Sequence, residues 1–202
     1  MADTQIPDTA DPAHADIPDT GSNGTVILLN GTSSSGKSSI AGELLDLLDG
    51  TWFHMPVDAF HAMRCKGEIA EEDLQAEIDR TAKGFHRAVA GMAAAGNNLV
   101  VDYPLSRRWR LLDLLDQLVP EDTVLVGVRC PLPELERREI ERGDRQRGLA
   151  ALQYDHVHSH GLHDVDVDTS TDSPRECALR IRETLPHLPR PTAFETLRRR
   201  LR

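Results

Sequence analysis

Between Val26 and Ser39 the chain reads Val-Ile-Leu-Leu-Asn-Gly-Thr-Ser-Ser-Ser-Gly-Lys-Ser-Ser, an apolar run passing into a loop of small residues. Gly31 and Gly36 frame the spacing G-x-x-x-x-G-K-[ST], in which backbone N–H groups curl round nucleotide phosphates, a lysine neutralises them and a hydroxyl can reach Mg²⁺. The flanks suit it: an aliphatic strand enters, and Ile40-Ala41-Gly42-Glu43-Leu44-Leu45 leaves with helical periodicity. The residues expected to hold a nucleotide are Gly31, Thr32, Ser33, Ser34, Ser35, Gly36, Lys37, Ser38 and Ser39, with Ser38 also a metal ligand.

Length and charge narrow the field. A chain of 202 residues, 39% of them hydrophobic, can bury one sizeable core and shows no composition break that would separate two. The formal net charge of −10 argues against nucleic acid as a partner, because gripping a polyanion draws on clustered positive charge. A small-molecule substrate fits better. No apolar run approaches a membrane span and no leader pattern opens the chain, so a cytoplasmic protein without a membrane partner is expected. Cys65, Cys130 and Cys177 are far apart and lack metal-ligand spacing, which reads as reduced, partly buried thiols.

The ends differ from the middle. Residues 1–23 carry five aspartates, three prolines and no lysine or arginine, a composition that reads as a disordered acidic tail. Residues 189–202 hold five arginines, with Phe194, Leu197 and Leu201 at helical spacing; this arginine-rich tail could dock a short helix or remain solvated. Between them, over 24–188, strand and helix patterns alternate as in a parallel sheet covered on both faces. The spacing predicts strands over 25–30, 52–57, 98–102, 123–129 and 164–168, the last suiting an edge strand or a loop. Helices are predicted over 37–49, 71–95, 106–118, 132–142 and 174–185, the last capped by Ser173. The fold class expected is α/β: a three-layer P-loop kinase fold, a five-stranded parallel sheet with helices on both faces and an arginine-bearing lid.

In open parallel sheets, ligands gather beyond the carboxyl ends of the strands. Asp58 follows the second predicted strand and Asp102 ends the third, so both carboxylates face the crevice that holds the phosphate loop. Phosphoryl transfer needs one group to orient an acceptor hydroxyl and take its proton, and another to complete a magnesium shell. Asp58 is assigned the first role and Asp102 the second. The segment from Leu135 to Gly148 is dense in arginine beside glycines and, continuing as a mobile stretch to about Gly161, reads as a lid. Arg138 and Arg142, four apart on one helical face, are its candidate catalytic guanidiniums alongside Lys37. His156, His158, His160 and His163 lack the partners of a metal site and read as a polar lid or loop, His158 being the one to test for substrate contact.

Taken in order, the phosphate loop, Val57-Asp58, Val101-Asp102, Gly127-Val128-Arg129-Cys130, Arg138-Glu139 with Arg142-Gly143-Asp144-Arg145, and Asp164-Val165-Asp166-Val167-Asp168-Thr169 resemble the chloramphenicol phosphotransferase family over about residues 25–183. The resemblance implies a fold like that of shikimate and nucleotide kinases, and transfer of the ATP γ-phosphate to a primary hydroxyl of an antibiotic. It implies Asp58 as catalytic base, Gly31 to Ser38 as the ATP loop, and Arg138 and Arg142 as lid arginines. Two departures bear on the acceptor. Ala59 to Gln75 is shorter and more charged than a chloramphenicol site would be, and Tyr103-Pro104-Leu105 replaces an expected acidic and aromatic pair. A shared reaction with a different acceptor is therefore open. The expected cofactors are ATP and Mg²⁺ and the expected substrate a small hydroxylated molecule, with a homo-oligomer compatible. The alternatives are a metabolite kinase of the shikimate or gluconate type, a nucleotide-sugar kinase toxin, and a non-catalytic ATP-binding switch.

Overall fold

Every residue of β1 (Val26–Asn30) is buried, which only a strand covered on both faces can achieve. In the computed structural model, which describes residues 21–64, 67–143 and 147–202, β1 is the centre of a five-stranded sheet. The other strands are β2 (Trp52–Pro56), β3 (Asn98–Asp102), β4 (Thr123–Arg129) and β5 (Val165–Asp168). Their order is β2-β3-β1-β4-β5 and every pairing is parallel. Since β1 has β3 on one side and β4 on the other, the direction of winding reverses at its carboxyl end, and the reversal opens a crevice there.

The alternation along β1 sorts the two cores. Val26 and Leu28 face one layer, where they meet Val57 of α2 (Val57–Ala62), Phe85 and Val89 of α3 (Glu71–Ala94) and Leu111, Leu114 and Leu115 of α4 (Arg108–Gln117). Ile27 and Leu29 face the other, packing on Ile40 and Leu44 of α1 (Lys37–Leu47) and on Cys177, Ala178 and Ile181 of α7 (Pro174–Thr184). Shifting β1 by one residue would exchange the two sets, so packing fixes the register. Ser173 caps α7 through a full capping box with Glu176, as its position before Pro174 predicts.

The α/β class, the five parallel strands and the helices on both faces are as the sequence predicts. Two local assignments are corrected, and a third, open between edge strand and loop, resolves to the first. The second strand ends at Pro56 rather than at residue 57, and Val57 and Asp58 open α2, a helix not foreseen because six residues are too few to show a period. The stretch read as mobile between Gly143 and Gly161 contains α6 (Leu149–Tyr154), which follows α5 (Leu132–Arg142). The fifth strand is an edge strand: Val165 and Val167 are buried against β4 while Asp166 points to solvent, the charged outer face that keeps an edge from pairing further.

At the far end, α8 (Ala193–Leu201) is begun by a Thr192–Glu195 capping box and buries Phe194 and Leu197 in the same core as α3 and α4. Its arginines lie along the outside, where Arg202 reaches Leu112 O at 2.8 Å and pairs with Asp116. Cys130 and Cys177 are free and buried, and burial pushes both thiols up, Cys177 to about 11; Cys65 lies outside the described residues. Among the described residues, no helix is long and apolar enough to cross a membrane.

Candidate active site

The loop from Gly31 to Gly36 fills the crevice. A Cβ on Gly31 would sit 2.6 Å from Ser35 Oγ and 2.7 Å from Val128 O, so only glycine lets the chain pass that close to β4. Ser34 (φ 62°) and Gly36 (φ 87°) both take the left-handed conformation, the second free of cost and the first at about 1–2 kcal/mol for a residue with a Cβ. Those turns wrap the loop into a cradle at the amino end of α1, where helix N–H groups and the helix dipole favour anions. The buried hydroxyls of Ser33 and Ser34 have no hydrogen-bond partner. Orphaned buried donors in a polar cradle fit a phosphate group.

Three side chains close on the loop from one side. Ser38 Oγ donates to Asp102 Oδ2 at 2.5 Å, and Asp102 Oδ1 lies 3.7 Å from Lys37 Nζ, which also donates to Thr32 O at 2.7 Å. Lys37 and Asp102 are both buried. Thus the carboxylate at the end of β3 meets the lysine and serine of the loop, as its strand-end position predicts. Asp58 lies at the same edge of the sheet: Pro56 and Asp102 are register partners, and Asp58 follows two residues on, exposed in the first turn of α2. It is carried by a helix rather than by the strand end.

The other side of the loop is built from α5, β5 and α6. Thr169, just past β5, joins them: its Oγ1 donates to Ser35 O at 3.0 Å and accepts from Arg138 Nη1 at 3.0 Å, while Arg138 Nη2 donates to Thr169 O at 2.7 Å. Glu134 holds the same guanidinium at 2.7 Å, and the hydrogen bonds from Arg137 and Arg138 keep its carboxyl down at about 2. Arg138 is therefore anchored to the loop. Arg142 ends α5 one turn further on, exposed, before Gly143 closes the helix; Asp144 and Arg145 of the same motif lie outside the described residues. The buried Glu139 accepts from Gly148 N at 2.9 Å and Ala150 N at 2.7 Å, capping α6 from ten residues back. Gln153, in the last turn of α6, reaches the loop, where its Oε1 accepts from Ser33 N at 2.7 Å.

The histidines follow α6 along the chain. His158, His160 and His163 form a cluster of edge-on rings with centroids 4.8 to 5.1 Å apart, and Asn30 Nδ2 touches both Val157 O and His160 Nε2. Burial, with Arg129 and the neighbouring imidazoles, holds His158 down at about 4 and His163 at about 3, so the rings are neutral. His156 stands apart, exposed. Among the described residues, no group of three or more His, Cys, Asp or Glu side chains is arranged to hold a metal ion.

Sequence reasoning left out Thr169 as a site residue although it ends the Asp-Val-x-Val-Asp-Thr motif, which was its signal. It also left out Glu139, which stands in the Arg138-Glu139 piece, and Asn30 and Gln153, which carry no signal because each acts on a segment far along the chain.

A glycine-framed loop of phosphate-binding spacing at the switch point of a five-stranded parallel sheet, with a carboxylate at the end of the neighbouring strand and an arginine helix opposite, defines a P-loop kinase, an enzyme that transfers phosphoryl groups. The comparisons agree. Residues 24–186 match the family described as "Chloramphenicol phosphotransferase-like protein", and the chain belongs to it. A Mycobacterium tuberculosis protein carrying the name "Putative O-phosphotransferase" is 30% identical over 200 residues, 88% of this chain and 89% of that one. In fold the chain is similar to the Mycobacterium tuberculosis APS kinase bound to AMPPNP and APS, with a TM-score of 0.61, 17% identity, and coverage of 82% of this chain and 99% of that one. It is similar likewise to the Acinetobacter baumannii shikimate kinase bound to shikimate, with a TM-score of 0.57, 14% identity, and coverage of 81% and 94%.

Proposed function

We propose that this phosphotransferase moves the γ-phosphate of ATP, presented with Mg²⁺, to a hydroxyl of a small molecule, and that an antibiotic alcohol of the chloramphenicol type is the first acceptor class to test, in keeping with the family. The observation that carries the reading is the junction of Ser38, Asp102 and Lys37 at the mouth of the loop, where the 2.5 Å bond joins residues 64 apart in sequence. ATP would supply the phosphoryl group, and Mg²⁺, held by Ser38 and Asp102, would offset the charge on its phosphates.

The chain's residues divide the remaining work. Amides from Gly31 to Ser39 receive the phosphates, Lys37 swings from Thr32 O toward them, and Ser38 with Asp102 presents oxygens to the metal. Asp58, at the same strand edge, accepts the proton of the acceptor hydroxyl as the new O–P bond forms and the bond to the leaving ADP oxygen breaks. Arg138, held on the loop through Thr169, and Arg142, one turn on, neutralise charge spreading over the equatorial oxygens. Incubation with ATP, Mg²⁺ and a panel of hydroxylated antibiotics and metabolite alcohols, followed by ³¹P NMR and mass spectrometry, tests the reading. Phosphorylated product is expected. ATP hydrolysis with no product across the whole panel would overturn it.

A further inference from the structure

A second group of buried polar atoms, used by none of these roles, lies in the core on the side of the sheet that carries α2, α3 and α4. Phe60, two residues past Asp58, meets Phe85 at a ring distance of 5.0 Å; Phe85 meets Tyr103 at 5.3 Å, and Tyr103 meets His86 at 5.1 Å. Arg110 lies over the Tyr103 ring at 5.5 Å and over Trp109 at 5.8 Å. The His86 and Tyr103 side chains are fully enclosed and Arg110 is 8% exposed. Yet Tyr103 Oη, His86 Nε2 and Arg110 Nε all lack a hydrogen-bond partner. Arg110 bonds only a carbonyl and a hydroxyl, Pro104 O at 3.4 Å and Ser106 Oγ at 3.2 Å, and no carboxylate pairs with it among the described residues. The nearby Asp113 instead serves His86 Nδ1 at 2.5 Å and Arg87 at 3.5 Å.

A buried guanidinium held by two ring faces, one carbonyl and one hydroxyl but no carboxylate is costly, and three orphaned polar atoms in one aromatic cluster raise that cost unless something completes them. What completes them follows from their chemistry. The Asp113 bond puts the His86 proton on Nδ1 and leaves Nε2 a pure acceptor, while burial keeps the ring neutral. Burial also raises the Tyr103 phenol, so its O–H stays a donor. One cationic donor, one neutral donor and one acceptor match an oxyanion flanked by a hydroxyl.

We propose that Arg110, Tyr103 and His86 form the recognition end of the acceptor pocket and select a small alcohol that carries an oxyanion, a carboxylate or a phosphate ester, rather than a neutral alcohol. This rests on the phosphotransferase reading for the identity of the pocket. The placement favours it: β2 and β3 end side by side at the Pro56 and Asp102 pair, so Asp58 and Tyr103 leave adjacent strands at the same edge of the sheet. The acceptor hydroxyl lies toward Asp58 and its anion toward Arg110. These three positions are specificity residues; none touches the phosphoryl group.

The test pairs ligands that differ by one charge. Hydroxy-carboxylates are compared with their amides, and phosphorylated alcohols with the parent alcohols, by calorimetry on the protein with ADP and Mg²⁺. The anionic member of a pair should bind about 10- to 150-fold tighter, the range for a hydrogen-bonded charge; the two kinds of pair distinguish carboxylate from phosphate. Arg110→Met should abolish that preference while nucleotide affinity is kept, and Arg110→Lys should restore part of it, a rescue that a purely structural arginine would not give. If Arg110→Met fails to fold, Tyr103→Phe, which removes one donor and keeps the ring, should narrow the preference several-fold. Equal binding of charged and neutral partners, binding of neither, or a preference unchanged by the substitutions would overturn the inference. Phosphate transfer to neutral alcohols alone would overturn it and leave the phosphotransferase reading standing, whereas anion binding through Arg110 with no nucleotide binding would overturn the reading and leave the anion site.

Discussion

Thr169→Val is a nearly isosteric change that removes one hydroxyl and keeps the volume of a buried side chain, so its effect isolates the hydrogen bonds through which β5 holds the phosphate loop. The hydroxyl's proton is shared between Ser35 O at 3.0 Å and Arg129 O at 3.4 Å, its oxygen accepts from Arg138 Nη1 at 3.0 Å, and all three contacts are lost. A neutral hydrogen bond contributes about 0.5–1.5 kcal/mol net and one to a charged group about 1.5–3 kcal/mol. The second figure must be discounted, because Arg138 is partly exposed and keeps Thr169 O and Glu134 as partners. The sum is about 2 kcal/mol, equivalent to a fall of about 4–8 °C in Tm for a domain of this size. Urea denaturation should show a lower midpoint with the slope unchanged, and Thr169→Ser, which restores the hydroxyl, should recover most of the loss. Nucleotide affinity should weaken in the same variant, since the Ser35 carbonyl is part of the cradle. A Thr169→Val protein within about 0.5 kcal/mol of the parent would refute the claim that this hydroxyl ties the sheet to the loop.

Three further outcomes are expected. Asp58→Asn should lower turnover by about 10²- to 10⁴-fold while leaving ATP affinity near the parent value, read by steady-state kinetics and by calorimetry; a variant that turns over normally would remove Asp58 as the base. Glu139→Ala should uncap α6, speeding hydrogen exchange of the amides from Gly148 to Gln153 and lowering stability by about 2 kcal/mol, and unaltered exchange there would show that the cap contributes nothing. The imidazoles of His158 and His163, held down at about 4 and 3 by burial and by Arg129 and the neighbouring imidazoles against the opposing pull of Asp166, bind protons more readily in the unfolded chain. Their stabilisation is therefore complete above about pH 6.5 and is lost as pH falls from there toward those values, with a slope of at most about 1.4 kcal/mol per pH unit for each ring; His163→Asn should flatten the slope between pH 7 and 5, and an unchanged slope would contradict it.

The sheet was legible because its central strands are buried on both faces: β1 carries Val-Ile-Leu-Leu and β4 Val-Leu-Val-Gly-Val, near-continuous apolar runs that a strand between two helical layers requires. The loop was legible because its backbone demands glycine at fixed offsets. Asp102 followed from the same geometry, since a strand end faces the crevice. What remained hidden depends on contacts across distance. Pro56 and Val57 suit a strand as well as the start of a helix, so α2 could not be separated from β2, and α6 is capped by Glu139 rather than by a neighbouring residue. Arg110 sits in a helix whose pattern announces only that one face is buried, and nothing local tells that its guanidinium lies on the inward side without a carboxylate.

Gln153 places an uncharged oxygen on the Ser33 amide, the kind of donor that an arriving phosphate oxygen would take. That amide is thus satisfied inside the chain by a residue 120 positions away, and the bond ties the short helix α6 to the phosphate loop with no charge on either side.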